Sequence, residues 1–366
     1  MKSSLKDIVE GYNPAAPLAE ACGPPTAWYI DPRILELERR TVFTRSWQMV
    51  GRADQLHHPG QYIANDLAGE PILIARGNDR VLRGFFNVCR HKGAAIITEP
   101  EGRTEYLRCP YHGWTYALEG ELKGTPDFAG VRNFDPSANG LIPVQTASWE
   151  KWLFVKLERK GPSLEDFLGV DLIERMQRLE FQNLHWVEQR RYTLGCNWKV
   201  FIDNYLDGGY HIPHLHGGLN SVLDYSKYTI EIGERCCLQS SPIVNERADA
   251  QTGVLRKGHA VYLWIYPNLM VNWSDGVMDT NLVCALDVDR TEVIFDFYFA
   301  NNSDQAREHN AASIAISQRI QDEDAAICNS VQRGLASRAY APGRLSARRE
   351  RGEHLFHRLL YADLTI

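Results

Sequence analysis

The chain has no apolar stretch as long as a membrane-spanning helix needs. It also has no excess of basic residues, since 40 Lys and Arg stand against 46 Asp and Glu, for a formal charge of −6. A nucleic-acid partner would require a basic face, so we expect neither nucleic acid nor a membrane as a partner. Cysteine is sparse, with 8 in 366 residues. That is too few for a small disulfide-framed secreted domain, so we expect reduced thiols in the cytoplasm.

No apolar run follows the N-terminal lysines, so the sequence predicts no signal peptide. An organelle stroma is the alternative location, if a transit peptide has been removed. The chain also lacks a Gly-rich dinucleotide fingerprint and a four-cysteine ferredoxin set. If the protein consumes electrons from NAD(P)H, it must therefore receive them indirectly, through a separate reductase.

Hydrophobic periodicity divides the chain into three parts. Residues 1–46 begin as an irregular lead-in of about 27 residues and continue as a helix that starts at Pro32, with Asp31 as its N-cap. Residues 47–160 contain short β segments, including a hairpin around 76–80, and predict a small antiparallel β domain. Residues 161–366 mix helices and strands, so the predicted fold class is α+β.

The elements of the last part follow from the same patterns. They are a helical stretch over 161–190, antiparallel strands over 225–300 with turns at 249–253 and 274–276, a long helix over 305–338 and a short helix near 355–360. These elements predict a larger second domain built from a sheet and a long helix.

Two short motifs in the predicted β domain each pair a cysteine with a histidine: Cys89 with His91, and Cys109 with His112. Structural zinc also uses two Cys and two His, but its motifs usually group one ligand type in each pair. Two facing loops of mixed type would place both cysteines on one iron and both histidines on the other, as in a Rieske [2Fe–2S] cluster. With 8 Cys and 12 His in 366 residues, chance gives this pattern in roughly one chain in a thousand.

A second set of metal-ligating residue types lies in the stretch 203–216. Its residues His211 and His216 are five positions apart, so an unbroken helix would point them in different directions. Pro213 disfavours helical geometry before it, so we expect the helix to stop near His211 and the chain to turn back. The alternative pair is His211 with His214, at helical spacing. Two histidines and one carboxylate with open positions suit a mononuclear Fe(II).

The third ligand is expected to be a carboxylate, and Asp322, Glu323 and Asp324 are the candidates. Asp324 lies on a predicted helical stripe whose other members are apolar: Ile320, Ile327, Val331 and Leu335. It should therefore face inward, whereas Asp322 shares its face with polar residues. A buried carboxylate requires a cation or a hydrogen-bond donor, which a metal ion would supply. A salt bridge to an inward Arg or Lys is the alternative.

From about Trp28 onward the chain resembles the catalytic α subunits of Rieske non-heme iron oxygenases, and among them the choline monooxygenase type. Beside the metal motifs, the resemblance is carried by the stretches DNYLDGGYH (203–211), YPNLMVN (266–272), MDTNL (278–282) and VQRGL (331–335). It implies a Rieske domain over 47–160 and a helix-grip catalytic domain over 161–366, in which an antiparallel sheet wraps a long helix. The segment 1–46 would pack on the catalytic domain.

The resemblance also implies a homotrimer in which the [2Fe–2S] cluster of one chain passes electrons to the mononuclear iron of the next. The implied cluster ligands are Cys89, His91, Cys109 and His112, and the implied iron ligands are His211, His216 and Asp324. A carboxylate of the second chain would bridge the two centres. The usual position of that acid is Gly208 here, so we nominate Asp207, with Asp203 as the second candidate. Asn204 is a further catalytic candidate.

By the same resemblance, the reaction is O2-dependent hydroxylation of a small quaternary ammonium compound, with choline to betaine aldehyde favoured and a ferredoxin or flavin reductase as partner. Aromatic faces attract a quaternary ammonium head through cation–π contacts, and the candidates are Tyr205, Tyr262, Trp264 and Tyr266. Core packing is the alternative role for these rings. Alternative reactions are N-demethylation of a betaine and ring hydroxylation of an aromatic substrate. A Rieske protein that only carries electrons is the alternative class, but it would not need the second motif.

Overall fold

A computed structural model of the chain describes residues 3–244 and 258–365, so the turn predicted at 249–253 lies outside the described residues. The chain divides into two compact units. One unit runs from Phe43 to Leu164, and the other combines the residues before Phe43 with those from Glu165 onward. The antiparallel sheets and the helices together confirm the α+β fold class.

The smaller unit is an antiparallel β structure. Its strands are β1 (Gln48–Arg52), β2 (Gln61–Leu67), β3 (Glu70–Arg76), β4 (Leu82–Phe86), β5 (Glu101–Arg103), β6 (Leu107–Arg108), β7 (Thr115–Tyr116), β8 (Leu122–Gly124), β9 (Pro143–Trp149) and β10 (Trp152–Lys156). Seven strands form a sheet in the order β1-β10-β9-β4-β3-β2-β5, and β6-β7-β8 form a second, smaller sheet. The pairing of β3 with β4 confirms the predicted hairpin.

Two hydrophobic clusters stabilise this unit. One packs apolar side chains of the larger sheet, such as Ile63 and Leu153. The other lies around the smaller sheet and includes Leu107, Cys89 and Cys109. Because both cysteines belong to a buried apolar cluster, the loops that carry them are anchored to the core at these positions.

The larger unit contains ten α-helices among the described residues, with α4 starting at the boundary. They are α1 (Leu5–Glu10), α2 (Ala27–Ile30), α3 (Pro32–Glu38), α4 (Leu164–Leu168), α5 (Val170–Gln177), α6 (Trp198–Leu206), α7 (Ile212–Leu215), α8 (Gly217–Asn220), α9 (Arg307–Leu335) and α10 (Arg351–Leu364). In the part of the chain that the structure describes, no helix is both long and apolar enough to cross a membrane.

The sheet of the larger unit is antiparallel and seven-stranded, in the order β11-β17-β16-β15-β14-β13-β12. Its strands are β11 (His185–Leu194), β12 (Thr229–Ile232), β13 (Cys236–Pro242), β14 (His259–Ile265), β15 (Leu269–Ser274), β16 (Val277–Asp287) and β17 (Arg290–Phe299). Helix α6 contacts the long helix α9, strand β16 and helix α10. The second metal motif follows α6, so this helix connects the motif to the rest of the unit.

Most of the predicted elements are confirmed. Asp31 caps α3, because its side chain accepts a hydrogen bond from the Arg33 N–H. The strands over 225–300, the turn at 274–276 and the two C-terminal helices also agree with the prediction. Two expectations are wrong: residues 5–10 form a helix within the predicted lead-in, and β11 occupies the end of the predicted helical stretch.

Candidate metal centres

The two loops of the first motif are reversals with the same hydrogen-bond pattern. The Gly93 N–H donates to the Cys89 carbonyl, and the Gly113 N–H donates to the Cys109 carbonyl, each over 3.0 Å. Both glycines have positive φ, 76° and 73°, so the two loops turn in the same way. The backbones of the two loops therefore have similar conformations where they carry their cysteine and histidine.

The loops bring the four predicted cluster ligands together. The thiols of Cys89 and Cys109 are both buried, and Cys89 lies close enough to contribute to the raised pKa of Cys109. The imidazole rings of His91 and His112 lie 4.7 Å apart between centroids, and His112 is exposed. The pair of sulfurs thus lies at the buried end of the site and the pair of imidazoles at the open end, which is the division that a [2Fe–2S] cluster of the Rieske type requires.

The environment of His91 fits a metal ligand. Its ring stacks on Trp114 with centroids 4.9 Å apart and an interplanar angle of 6°. Its Nδ1 atom is buried and has no hydrogen-bond partner among the described residues. Burial, the adjacent His112 and then Lys92 lower the pKa of His91, which favours the neutral imidazole that binds metals. Iron would satisfy the unpaired ring nitrogen.

Hydrogen bonds also surround the sulfurs. Burial raises the pKa of the Cys109 thiol, and the N–H groups of Tyr111 and His112, which are directed at its sulfur, oppose that shift. The Tyr116 hydroxyl oxygen lies 3.4 Å from Cys89 Sγ. Donors of this kind stabilise the thiolates that hold an iron–sulfur cluster and influence its reduction potential. Tyr116 was not among the predicted site residues, because only the fold brings it to Cys89.

The second motif follows a chain reversal after α6. The helix ends at Leu206, and Gly208 and Gly209 follow with positive φ of 69° and 71°. A side chain on Gly208 would clash with the carbonyl oxygen of Arg349, so the position requires glycine. The break predicted at Pro213 is wrong, because Pro213 lies in the first turn of α7, where proline is tolerated.

After this reversal, the ligand atoms of His211, His216 and Asp324 all lie within 4.8 Å of one another. The two imidazole rings are 4.9 Å apart between centroids and nearly perpendicular, at 80°. His216 Nε2 lies 3.1 Å from Asp324 Oδ1. Two ligand atoms bound at right angles to one ion, at about 2.1 Å each, are also separated by about 3 Å. The geometry of these three side chains therefore fits a mononuclear metal ion.

The alternative ligands occupy other positions. His214 is exposed on α7. Asp322 is exposed on α9 and accepts a hydrogen bond from Gln318 over 2.7 Å. Neither residue belongs to the described group of three ligand atoms. The histidine pair His211 and His216 and the acid Asp324 are thus the residues that the fold brings to one point.

The predicted inward stripe of α9 is wrong in part. Ile327 and Val331 are 39% and 43% exposed, while Leu335 is buried. The buried side chains of the helix lie instead at Asn310, Ser313, Ile314, Gln321, Cys328, Gln332 and Leu335. Asp324 is half-buried, at the edge of this buried face. A stripe that passes through Asp324 is therefore rotated toward the solvent side of the buried face.

Hydrogen bonds to carboxyl or amide groups hold each of the three candidate ligands. Asp207 Oδ2 lies 2.7 Å from His211 Nδ1, and Glu323 Oε2 lies 2.6 Å from His216 Nδ1. Asn204 Nδ2 donates to Asp324 Oδ1 over 2.8 Å. With both Nδ1 atoms engaged, the Nε2 atoms are the ring nitrogens that can bind a metal. Such partners orient histidine ligands and fix their tautomers.

The protonation of His216 follows from the same contacts. Burial lowers the pKa of His216, but the hydrogen bonds and charges of Asp324 and Glu323 outweigh burial and raise it. A metal ion would replace the proton on Nε2. In the sequence, Glu323 is adjacent to Asp324 and is a candidate ligand, but its contact with His216 is not predicted. Its contact with His216 depends on the fold around α7 and α9.

Asp203, the second candidate for the bridge, belongs to a different network. It accepts a hydrogen bond from the Tyr29 hydroxyl over 2.7 Å and lies 3.0 Å from His357 Nε2. Glu353 is nearby, and burial together with the charge of Asp203 raises its pKa well above the usual range. The described contacts of Asp203 therefore hold α6 against α2 and α10, whereas Asp207 contacts His211 directly.

A cavity of about 600 Å³ adjoins the three candidate iron ligands. Its aromatic lining residues are Phe201, Tyr205, Tyr228, Tyr262, Trp273 and Phe295. Its polar lining residues include Gln239, Asn272, Asp279 and Asn281. A small organic molecule would fit this volume, with one end against His211 and His216 and the other against aromatic and polar walls.

Two of the four predicted cage residues line this cavity and two do not. Tyr205 and Tyr262 are lining residues. Trp264 is fully buried and packs edge-on against Phe356, with ring centroids 5.5 Å apart. Tyr266 is fully buried and donates to Asp363 over 2.6 Å. The rings of Tyr262, Trp264 and Tyr266 alternate along the chain and lie on one face of the sheet. Helix α10 covers this face at Trp264 and Tyr266, which excludes these two rings from the cavity.

Comparisons with known proteins agree with both candidate centres. The family model for the Rieske [2Fe-2S] domain matches residues 46–135. The model for the ring hydroxylating alpha subunit (catalytic domain) matches residues 181–364. The first match contains Cys89, His91, Cys109 and His112, and the second contains His211, His216 and Asp324.

Similar proteins match over nearly the whole chain. The chloroplastic choline monooxygenase of Arabidopsis thaliana is 36% identical and aligns with 100% of this chain and 88% of its own length. The carnitine monooxygenase oxygenase subunit of Escherichia coli K12 is 29% identical, with 98% of both chains aligned. A solved quaternary ammonium Rieske monooxygenase superposes with a TM-score of 0.85 at 27% identity, covering all of both chains. The chain belongs to the Rieske non-heme iron oxygenases, as a catalytic α subunit.

Proposed function

We propose that this oxygenase hydroxylates a C–H bond of a small quaternary ammonium compound, with choline as the favoured substrate. The observation that carries the proposal is the aromatic cavity beside His211, His216 and Asp324. A quaternary ammonium head has no N–H group to donate, so aromatic faces and negative charge are what can recognise it. The names of the similar choline and carnitine monooxygenases support the same substrate class.

We assign the cluster to Cys89, His91, Cys109 and His112 in a Rieske domain over 47–160. We assign the mononuclear iron to His211, His216 and Asp324 in a catalytic domain over 161–366, against which residues 1–46 pack. When bound, the cluster supplies single electrons and the mononuclear iron supplies O2 activation. The reaction is balanced as R–CH2OH + O2 + 2e⁻ + 2H⁺ → R–CH(OH)2 + H2O, and loss of water from the product gives betaine aldehyde.

The protein side chains have separate tasks in this reaction. Asp207 and Glu323 orient His211 and His216, and Asn204 orients Asp324. The apolar walls of the cavity exclude bulk water from the reacting carbon. Tyr205 contributes an aromatic face, and its burial raises the pKa of its phenol well above the usual range, so it stays neutral there.

The electrons must come from a separate ferredoxin or flavin reductase, because the sequence has no dinucleotide fingerprint of its own. We further propose a homotrimer in which Asp207 links His211 to His112 of the neighbouring subunit. The contact between Asp207 and His211 and the exposure of His112 support this arrangement. None of the eight cysteines is paired in a disulfide in the described structure, which supports a reducing cytoplasm, or an organelle stroma, as the location.

A single-turnover experiment tests the reaction without knowledge of the reductase. Iron-loaded protein is reduced chemically, the reductant is removed, and O2 and choline are added. Mass spectrometry should detect betaine aldehyde, and protein left oxidised should give none. If both iron centres are intact and reduced protein forms no product, choline is the wrong substrate.

The same assay tests the alternative reactions. The carnitine-type relative makes a betaine the next substrate to test. N-demethylation would release formaldehyde from that betaine, and ring hydroxylation would convert an aromatic acid. Absence of turnover with all three classes, together with only two irons per chain, would favour an electron carrier.

A further inference from the structure

The middle of the long helix α9 forms one wall of the cavity. Gln321 lies on this wall, three residues before the candidate iron ligand Asp324, and both residues line the cavity. Side chains three positions apart on a helix are neighbours, with Cβ atoms about 5–6 Å apart. The carboxamide of Gln321 is therefore carried by the same stretch of wall as the iron ligand.

Gln321 differs from the other carboxamides of the cavity in its hydrogen bonding. The carboxamide side chains that line the described part of the cavity are Asn204, Gln239, Asn272, Asn281 and Gln321. In the first four, the amide nitrogen donates a hydrogen bond to a described protein oxygen, over 2.7–2.9 Å. The Nε2 atom of Gln321 is buried and has no hydrogen-bond partner among the described residues. The protein has thus satisfied four of these amide nitrogens and left the fifth unpaired.

An unpaired amide at this position requires a reason. Gln321 is only 2% exposed, and a buried donor without a partner loses the hydrogen bonds that water gives it in the unfolded chain. Methionine, which is also unbranched and of similar length, would fill the same space without that cost. What the carboxamide adds is a donor at one end and an acceptor at the other, and rotation about its terminal bond turns either one toward a ligand. A polar group of a bound molecule would satisfy it.

The proposed reaction indicates which group of the substrate this is. In choline, the carbon that is hydroxylated also bears the hydroxyl group, so the hydroxyl must lie near the iron site and the ammonium head farther from it. The aromatic rings that suit the head belong to other elements, such as Tyr205 on α6 and Tyr262 on β14. With the head against those rings, the hydroxyl can lie against the α9 wall, beside Gln321 and Asp324.

We propose that Gln321 is a specificity-determining residue that hydrogen-bonds the hydroxyl group of the substrate and so holds the adjacent carbon at the candidate iron site. This inference rests on the proposed function. A hydroxyl both donates and accepts, so it can pair with either end of the carboxamide. A directional contact next to the reacting carbon orients its C–H bonds, which the aromatic contacts of the head alone would not do. A compound without the hydroxyl would leave Gln321 unpaired and would bind more weakly.

The test compares choline with ethyltrimethylammonium, which has the same charged head but a hydrogen atom in place of the hydroxyl. Equilibrium binding to the iron-loaded enzyme is measured by calorimetry. Water solvates the hydroxyl, so a hydroxyl without a partner in the cavity would weaken the binding of choline. We expect the wild-type enzyme to bind choline roughly tenfold more tightly than ethyltrimethylammonium. In Gln321→Met, choline affinity should fall until the two compounds bind within about threefold of each other, while ethyltrimethylammonium affinity does not fall.

Gln332→Met is the matched control. Gln332 is also a buried glutamine of α9, but it is not a described lining residue and its amide is paired. It accepts from the Asn197 N–H over 2.9 Å and donates to the Tyr29 carbonyl oxygen over 3.4 Å. This variant should keep the wild-type preference for choline and should unfold at a lower temperature, because it loses these bonds. Gln321→Met should not unfold at a lower temperature, because it removes an unpaired donor.

The outcomes separate the two proposals. If the wild-type enzyme prefers choline and Gln321→Met keeps that preference, the role of Gln321 is overturned and the proposed function stands. Equal wild-type affinity for the two compounds would likewise overturn the role of Gln321, because the hydroxyl would then not be recognised. If Gln321→Met does not fold, Gln321→Leu takes its place in the same comparison. If the wild-type enzyme binds no quaternary ammonium compound, both proposals are overturned.

Discussion

At the residue scale, the two candidate iron histidines each have a carboxylate behind the ring. Asp207 and Glu323 lie 2.7 and 2.6 Å from the Nδ1 atoms of His211 and His216. This carboxylate–histidine arrangement raises the basicity of a metal ligand and fixes its orientation. We therefore expect the affinity for the mononuclear iron to depend on these acids as well as on the ligands.

Glu323→Gln should lower the affinity for the mononuclear iron by roughly 10–100-fold, because an amide is a weaker acceptor for His216 Nδ1–H. Iron titration of the apoprotein measures the effect, and the cluster spectrum should not change. Asp322→Asn, at the adjacent exposed position, is the control and should bind iron as the wild type does. Equal affinity in the Glu323 variant would exclude this orienting role.

Tyr116→Phe should shift the reduction potential of the cluster to more negative values, on the order of tens of millivolts. The hydroxyl lies 3.4 Å from Cys89 Sγ, and a hydrogen bond to a thiolate sulfur stabilises the reduced cluster. Spectroscopic redox titration measures the shift. Tyr106→Phe, an exposed tyrosine of the same unit, is the control. An unchanged potential in Tyr116→Phe would show that the hydroxyl does not donate to the sulfur.

The sequence predicted ligands better than it predicted their partners. The two Cys–His pairs are recognisable because each is local in sequence, and the structure brings all four side chains together. Glu323 and Tyr116 could not be assigned in the same way. Their roles depend on contacts between segments that lie far apart in the sequence.

At the element scale, the decisive feature is the reversal between α6 and α7. The sequence predicted a break near His211, but the positive φ angles of Gly208 and Gly209 place the reversal before that residue. Pro213 is the cause that the sequence predicts, because proline disfavours helix in the residue before it. The glycines end the helix earlier, and proline then starts the next one.

Gly208→Ala should destabilise the protein by at least about 1–2 kcal/mol, because a Cβ is strained at positive φ, and the clash with Arg349 adds to this cost. Thermal unfolding measures stability, and iron analysis should show loss of the mononuclear iron. Gly334→Ala is the control, since nothing lies near its Cβ position and alanine favours the helix. Normal iron binding by Gly208→Ala would contradict the role of the reversal.

The two wrong helix–strand predictions have physical explanations. Residues 5–10 carry a capping box, in which Ser4 and Asp7 satisfy each other's backbone N–H groups, and this local signal was available in the sequence. Strand β11 was not recognisable in the same way. Its residues 188–191 are polar, and its conformation depends on pairing with the distant β17.

At the scale of the whole molecule, the chain carries two metal motifs whose proposed tasks are different. The family assignment explains why both occur in one chain: one centre receives electrons and the other activates O2. The proposed trimer then requires a link between the centres of neighbouring subunits. Of the two candidates for this link, Asp207 and Asp203, Asp207 is the one that contacts a proposed iron ligand, His211.

In protein loaded with enough iron to fill both centres, Asp207→Asn should slow electron transfer from the cluster to the mononuclear iron by roughly tenfold or more. Rapid mixing of reduced, substrate-bound protein with O2 measures the rate of cluster oxidation. Asp203→Asn is the comparison, since Asp203 contacts Tyr29 and His357. Slow transfer in Asp203→Asn and normal transfer in Asp207→Asn would assign the link to Asp203.

The central claim is that one chain holds a cluster and a separate mononuclear iron that serve one oxygenation. The most direct test is iron analysis of the wild type and His211→Ala, combined with the cluster spectrum and single-turnover product. We predict three irons per wild-type chain. His211→Ala should hold two irons, with an unchanged cluster spectrum and no product. Three irons and normal turnover in His211→Ala would contradict the account.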